Sequence, residues 1–202
     1  MNRCFSFLAV SLCLLTQYSA LAKTAEEFQR DGMERVARLT LPEGWKGALW
    51  ADGSHTINPS SFIFDTQGRL YSCEIHRWQK GVDDIRGRAY MLLEDLSIQS
   101  SADRLAMFKN HYDQHPAAWY TDYSDVIKLI EDTDGDGMAD KSTVFADGFN
   151  DPLDGPGIGV IERDGDIYYT CIPHLWKLKD TDGDGKADTR ESLQDGFGIR
   201  MS

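Results

Sequence analysis

Asp132-Thr133-Asp134-Gly135-Asp136-Gly137-Met138-Ala139-Asp140 and Asp180-Thr181-Asp182-Gly183-Asp184-Gly185-Lys186-Ala187-Asp188 are one phrase written twice, differing only at Met138 against Lys186. Alternating aspartates on a tight glycine-containing loop aim several hard oxygens at one centre. That suits Ca²⁺, which takes six to eight oxygens at roughly 2.3–2.6 Å. Carboxylates crowded this closely repel one another unless a cation sits among them.

The calcium-loop template asks for ligands at positions 1, 3, 5, 7, 9 and 12, with glycine at 6. In the second copy Asp180, Asp182, Asp184, Gly185, Asp188 and Glu191 fill positions 1, 3, 5, 6, 9 and 12, and Lys186 offers a carbonyl at 7. In the first copy Asp132, Asp134, Asp136, Gly137 and Asp140 fit, but position 12 is Thr143. The first loop is therefore expected to bind more weakly or to borrow an oxygen, with Asp147 the candidate. The competing reading is a solvated acidic turn, because Asp-Gly is a common turn dipeptide. An EF-hand needs a helix on each side. The residues ahead of the loops, Val126–Ile130 and Leu175–Leu178, read instead as strands, so the loops are expected to staple a β-structure.

Working outward, Phe64–Cys73 and Glu162–Cys171 share a plan of turn, Gly, polar, aliphatic, Tyr, polar, Cys. Each half then reads as strand, glycine turn, strand with Tyr and Cys, strand, Asp loop, and Asp-Gly-Phe at Asp147–Phe149 or Asp195–Phe197. From Gly68 to Asp132 is 64 residues, against 15 from Gly165 to Asp180, so the first half carries an insertion of about 49 residues near His76 to Asp125. It contains a helix start at Ser101–Phe108, with Leu105, Phe108 and Tyr112 on one stripe. Without it each unit has the size of a four-stranded propeller blade.

The expected fold is mainly β: a partial β-propeller of about two four-stranded blades, with a helical insertion in the first and a short N-terminal helix. The expected divisions are a signal peptide over 1–22, a helical lead-in over 23–44, a first blade over 45–150 with the insertion at about 77–124, and a second blade over 151–202. The lead-in opens on Thr24-Ala25-Glu26-Glu27, a capping box. Candidate strands follow at Lys46–Ala51, Ser61–Phe64 and Arg69–Ile75, the last two joined by the turn Asp65–Gly68. Gly155–Gly159 lacks the lysine of a phosphate loop and reads as the lead into a strand. Two blades leave sheet faces uncovered, so the chain is expected to be the N-terminal piece of a longer protein.

Arg3, the apolar run Phe5–Leu15 and Ala20-Leu21-Ala22 make a secretory leader cleaved after Ala22. The protein is thus expected to be secreted or periplasmic, with no later membrane span. The net charge is −12, and the leader holds Arg3 and no acid, which leaves −13 on Lys23–Ser202. That balance disfavours nucleic acid and anionic membranes. Cys4 and Cys13 leave with the leader; Cys73 and Cys171 remain. They could pair in an oxidising compartment, but equivalent strands of neighbouring blades are usually too far apart, and two small buried residues are favoured. No C-x-x-C-H and no G-x-G-x-x-G is present. His55, His76, His111, His115 and His174 read mainly as surface or structural residues, with His76 at a strand end the one placed for catalysis. Trp45, Trp50, Trp78, Trp119 and Trp176 read as packing residues before a carbohydrate-stacking face.

The run Asp125–Phe149, continued by Tyr168–Trp176 and Asp195–Gly198, resembles a family of secreted planctomycete and verrucomicrobial proteins. They are described as PVC-type membrane-bound dehydrogenases or haem-binding proteins. The resemblance implies a propeller similar to soluble glucose/sorbosone quinoprotein dehydrogenases. It further implies oxidation of a sugar or alcohol by pyrroloquinoline quinone (PQQ), with electrons passed to a c-type cytochrome. Haem c itself belongs to a part of such proteins absent from this chain. No catalytic residue is carried over. The alternative is a non-catalytic extracellular propeller that binds carbohydrate or protein.

Overall fold

A computed structural model describes residues 22–82 and 85–198. Residues 1–21, which hold all but the last residue of the expected leader and include Cys4 and Cys13, and the last four residues lie outside the described residues. Among the described residues eight strands form two four-stranded antiparallel sheets, each in simple sequence order. The first contains β1 (Pro59–Phe64), β2 (Leu70–Glu74), β3 (Asp125–Glu131) and β4 (Lys141–Phe149). The second contains β5 (Gly157–Arg163), β6 (Asp166–Cys171), β7 (His174–Lys179) and β8 (Thr189–Gln194).

Local chemistry sets these registers. In the β1–β2 turn the Asp65 carboxylate accepts the N–H groups of Gln67 and Arg69, both at 2.9 Å, and Gly68 takes φ +80°. The β5–β6 turn is Asp164-Gly165 with φ +55° and +82°, the double left-handed conformation that matches the twist of a two-residue hairpin. Arg163 therefore pairs with Asp166, and side chains alternate from there.

The sheets pack face to face. Tyr71, Cys73, Ile127, Leu129, Phe145 and Phe149 of the first meet Val160, Ile167, Tyr169, Cys171 and Leu178 of the second. β1 lies beside β5, where Ser60 Oγ donates to the Gly157 carbonyl at 2.8 Å. Fully burying one such aliphatic or aromatic side chain contributes about 1.5–3 kcal/mol. All five residues of β2 are buried, because the other face of the first sheet is also covered: Leu70, Ile130 and Ala139 lie under Trp50 and Ala51. β6 by contrast alternates half-buried and buried. The second face of its sheet leaves Ile158 and Ile161 more than half exposed, at 55% and 59%.

The N-terminal helix α1 (Ala25–Ala37) forms behind the expected capping box: Thr24 Oγ1 accepts from Glu27 N at 3.2 Å and Glu27 Oε2 accepts from Thr24 N at 2.8 Å. Lys46–Ala51, expected as a strand, has no ladder; among the described residues no strand lies beside it. The insertion between β2 and β3 is helical, with α2 (Leu92–Ser97), α3 (Ser101–Asn110) and α4 (Ala117–Thr121). Met91, Ile98, Met107, Phe108 and Tyr120 form its own small core. Phe108 of the expected stripe is buried in this core and Tyr112 packs against it, whereas Leu105 is only half-buried and Arg104 and Met107 complete the buried face of α3. Arg104 turns inward because its guanidinium donates to the Leu153 carbonyl at 3.1 Å.

Candidate metal centres

Each Asp loop joins the third strand of a sheet to the fourth, and the two loops are hydrogen-bonded in the same way. Asp132 Oδ1 and Oδ2 accept from Gly135 N at 2.7 Å and Gly137 N at 2.9 Å; Asp180 accepts from Gly183 N and Gly185 N at the same two distances. Asp134 accepts from Asp136 N and Asp182 from Asp184 N, both at 3.1 Å. Asp136 accepts from Met138 N and Asp184 from Lys186 N, both at 2.8 Å. Asp140 closes the first loop on Thr133, and Asp188 closes the second on Thr181. The Thr181 hydroxyl and N–H hold the Asp188 carboxyl below its usual range. Gly135, Gly137, Gly183 and Gly185 all have φ between +77° and +93°, which a side chain resists.

This bonding gathers the carboxylates. One oxygen from each of Asp132, Asp134 and Asp136 lies within 4.8 Å of the others, and Asp180, Asp182 and Asp188 form a second such group. Glu191, expected at position 12, stands on β8 opposite Lys177, outside that group. Asp147, the candidate for completing the first loop, lines instead a cleft of about 350 Å³ with Lys186, Asp188 and Arg190, beside the second. Among the described residues no Lys, Arg or His nitrogen lies within 4.0 Å of any loop carboxylate. Like charges at this spacing repel by about 1 kcal/mol per pair even in bulk water. The donor set of hard carboxylate oxygens on a glycine-bent loop fits a cation of the calcium type.

The second loop also touches the neighbouring sheet. Ala187 N donates to the Phe145 carbonyl of β4 at 2.8 Å, and a Cβ placed on Gly185 would lie 3.3 Å from Leu129 Cδ2 of β3. The first loop touches the N-terminal segment: Ala139 N donates to the Trp50 carbonyl at 2.6 Å.

A second constellation carries no motif in the sequence. Asp125, fully buried, accepts from His76 N at 2.7 Å, Arg77 N at 2.9 Å and Gly157 N at 2.9 Å. Arg77, also fully buried, donates to the carbonyls of Asp154, Tyr120 and Asp151 at 2.9, 2.9 and 3.0 Å. Burial pushes the Asp154 carboxyl up to about 6, against the opposing pull of the Asp151 N–H and the nearby Arg77. These groups knit the insertion to the link between the sheets. Their one visible signal was the sequence Asp151–Gly157, dense in turn residues.

The remaining candidates are structural in setting. His76 Nε2 lies 2.9 Å from Glu74 Oε2, and Glu74 also accepts from Ile57 N at 2.8 Å. His111 lies 2.9 Å from Glu94 Oε2, and Pro116 caps the start of α4 beyond it. Cys73 and Cys171 are free and buried, and burial pushes the Cys73 thiol up to about 12 and the Cys171 thiol higher still. Trp50, Trp119 and Trp176 pack on the three hydrophobic clusters, whereas Trp45 is 72% exposed.

Residues 32–201 match the family model described as domain of unknown function DUF7133. No curated protein and no solved structure matches the chain.

Proposed function

The chain belongs to the DUF7133 family, and on that premise we propose that it is part of an exported, Ca²⁺-stabilised β-propeller in which each four-stranded sheet is one blade. The observation that carries the reading is the pair of Asp loops bonded through the same partners, whose converging carboxylates, among the described residues, have no Lys, Arg or His nitrogen within 4.0 Å. Asp132, Asp134, Asp136 and Asp140 would hold one ion. Asp180, Asp182, Asp184 and Asp188 would hold the other, with Glu191 reaching it only if β8 shifts. A bound Ca²⁺ supplies charge neutralisation and rigidity there. The loop aspartates orient it, and the backbone N–H groups fix the aspartates.

Radial stacking is supported by the identical strand order of the two sheets and by β1 lying against β5. Export is supported by the leader sequence and by free Ca²⁺ being plentiful outside cells. Quinone-dependent oxidation of a sugar or alcohol, with transfer to a c-type cytochrome, comes from the family resemblance alone. No residue is assigned to PQQ or haem. The test is a quinone titration of the purified, Ca²⁺-loaded protein followed by sugar-dependent dye reduction. Saturable quinone binding supports the dehydrogenase reading; carbohydrate or protein binding without quinone binding replaces it with the non-catalytic propeller.

A further inference from the structure

A third copy of the fourth-strand sequence stands before the first sheet. Lys46-Gly47-Ala48-Leu49-Trp50-Ala51-Asp52-Gly53 matches Lys141-Ser142-Thr143-Val144-Phe145-Ala146-Asp147-Gly148. Lys, Ala, Asp and Gly are identical, Leu49 answers Val144, and Trp50 answers Phe145. The contacts agree with the match. Ala139 of the first loop donates to the Trp50 carbonyl at 2.6 Å, and Ala187 of the second donates to the Phe145 carbonyl at 2.8 Å. Trp50 and Ala51 pack on Leu70, Ile130 and Ala139. Phe145 and Ala146 pack with Ile167, Leu178 and Ala187, which hold the corresponding places in the second sheet. The interface between the two sheets therefore continues on the other side of the first sheet, where Lys46–Ala51 takes the place of β4.

β4 has β3 beside it, and among the described residues no strand pairs with this segment. Among the described residues, the Trp50 carbonyl is the one backbone group of Lys46–Ala51 with a backbone hydrogen bond. Residues 46–48 are exposed. Leu129 of β3 covers Gly185 in the second loop, yet among the described residues no atom lies within 4 Å of the corresponding point at Gly137. The helix α1 touches the segment through side chains, Gly32 meeting Leu49 and Phe28 meeting Gly53. It supplies no ladder.

We infer that Lys46–Ala51 is the fourth strand of a further sheet, and that its edge takes the outer strand of a three-stranded antiparallel sheet. A row of unpaired backbone groups is a template for such pairing. The recognised chemistry is a strand of the β3 type, with an aliphatic residue at the place of Leu129 to cover Gly137. The inference rests on the sheet repeat that underlies the proposed propeller and is independent of the ions.

The test appends a second copy of Gly157–Lys179, which has three strands and no fourth, to the full chain through a flexible Gly/Ser linker. A short linker of this kind gives an effective concentration in the millimolar range. Hydrogen exchange is then followed by mass spectrometry in Ca²⁺ and in EDTA. Amides of Lys46–Ala51 should exchange rapidly in the parent chain and at least tenfold more slowly in the fusion. Lys177→Pro in the appended copy should abolish the slowing, because proline breaks a strand ladder. Unchanged exchange in the fusion, slowing that survives Lys177→Pro, or slowing confined to the exposed edge of β8 would each overturn the inference. Slowing in EDTA as well as in Ca²⁺ sustains it even where the ions have no effect.

Discussion

Asp125 on β3 accepts the backbone N–H of Gly157 on β5 at 2.9 Å, so one buried carboxylate ties the two sheets together. Its other oxygen holds the first residues of the insertion, His76 and Arg77. Removing it would strand three N–H groups, and each unsatisfied buried donor costs about 1–3 kcal/mol. Asp125→Ala should lower stability by at least about 3 kcal/mol, and Asp125→Asn, which keeps one acceptor, by less. Asp113→Ala on the exposed insertion surface should stay within about 0.5 kcal/mol of the parent. Urea unfolding of the three variants checks the order.

Gly157 also faces Tyr169. A Cβ at this position would lie 1.5 Å from Tyr169 Oη and 2.4 Å from Cζ, inside the fully buried inter-sheet core. Gly157→Ala should cost about 3 kcal/mol, the upper end of ordinary overpacking. Tyr169→Phe in the same chain should restore only part of that, because the ring carbon remains too close. Thermal melts of the single and double variants provide the comparison.

Asp154 makes stability depend on pH. Burial raises its folded value to about 6 from an ordinary 3.8, so between those values the folded chain holds a proton that the unfolded chain has lost. Its contribution is therefore complete below pH 4 and is lost as pH rises towards 6, with a slope of about 1.4 kcal/mol per pH unit across that window. Asp154→Asn should flatten this part of the pH–stability curve. Urea midpoints measured from pH 4 to 7 would reveal the slope and its loss.

Cys73 and Cys171 are buried thiols whose ionisation is suppressed by burial. The folded protein should resist alkylation at pH 8, and after denaturation without reductant both residues should be labelled. A linked peptide by mass spectrometry would contradict this.

What could be read from the sequence was what repeats locally. The Asp-Gly turns, the alternation in β6 and the size of the insertion all follow from spacing, and the Thr24–Glu27 cap follows from two residues three apart. The loop aspartates show both sides of this: six of the eight lie in the two converging groups, whereas Asp140 and Asp184 lie outside them and Glu191 stands on an exposed strand whose pairing with β7 fixes it elsewhere. Arg77 and Asp154 were not legible, because their partners are carbonyls and N–H groups brought in from as far as 77 residues away. Lys46–Ala51 carries a strand pattern without a ladder, since a strand's hydrogen bonds belong to its neighbour. The inward turn of Arg104 on α3 likewise depends on a carbonyl, that of Leu153, which helical periodicity cannot register.

A thermal melt in Ca²⁺ against EDTA decides whether the two Asp loops grip divalent ions that stabilise the sheets. At Ca²⁺ a hundredfold above the dissociation constant one site adds about 2.7 kcal/mol, equivalent to about 5–10 °C in a chain of this size. A rise of that order is expected in Ca²⁺, reduced both by Asp180→Asn and by Asp132→Asn. A melting temperature indifferent to both Ca²⁺ and EDTA would contradict ion binding by the loops.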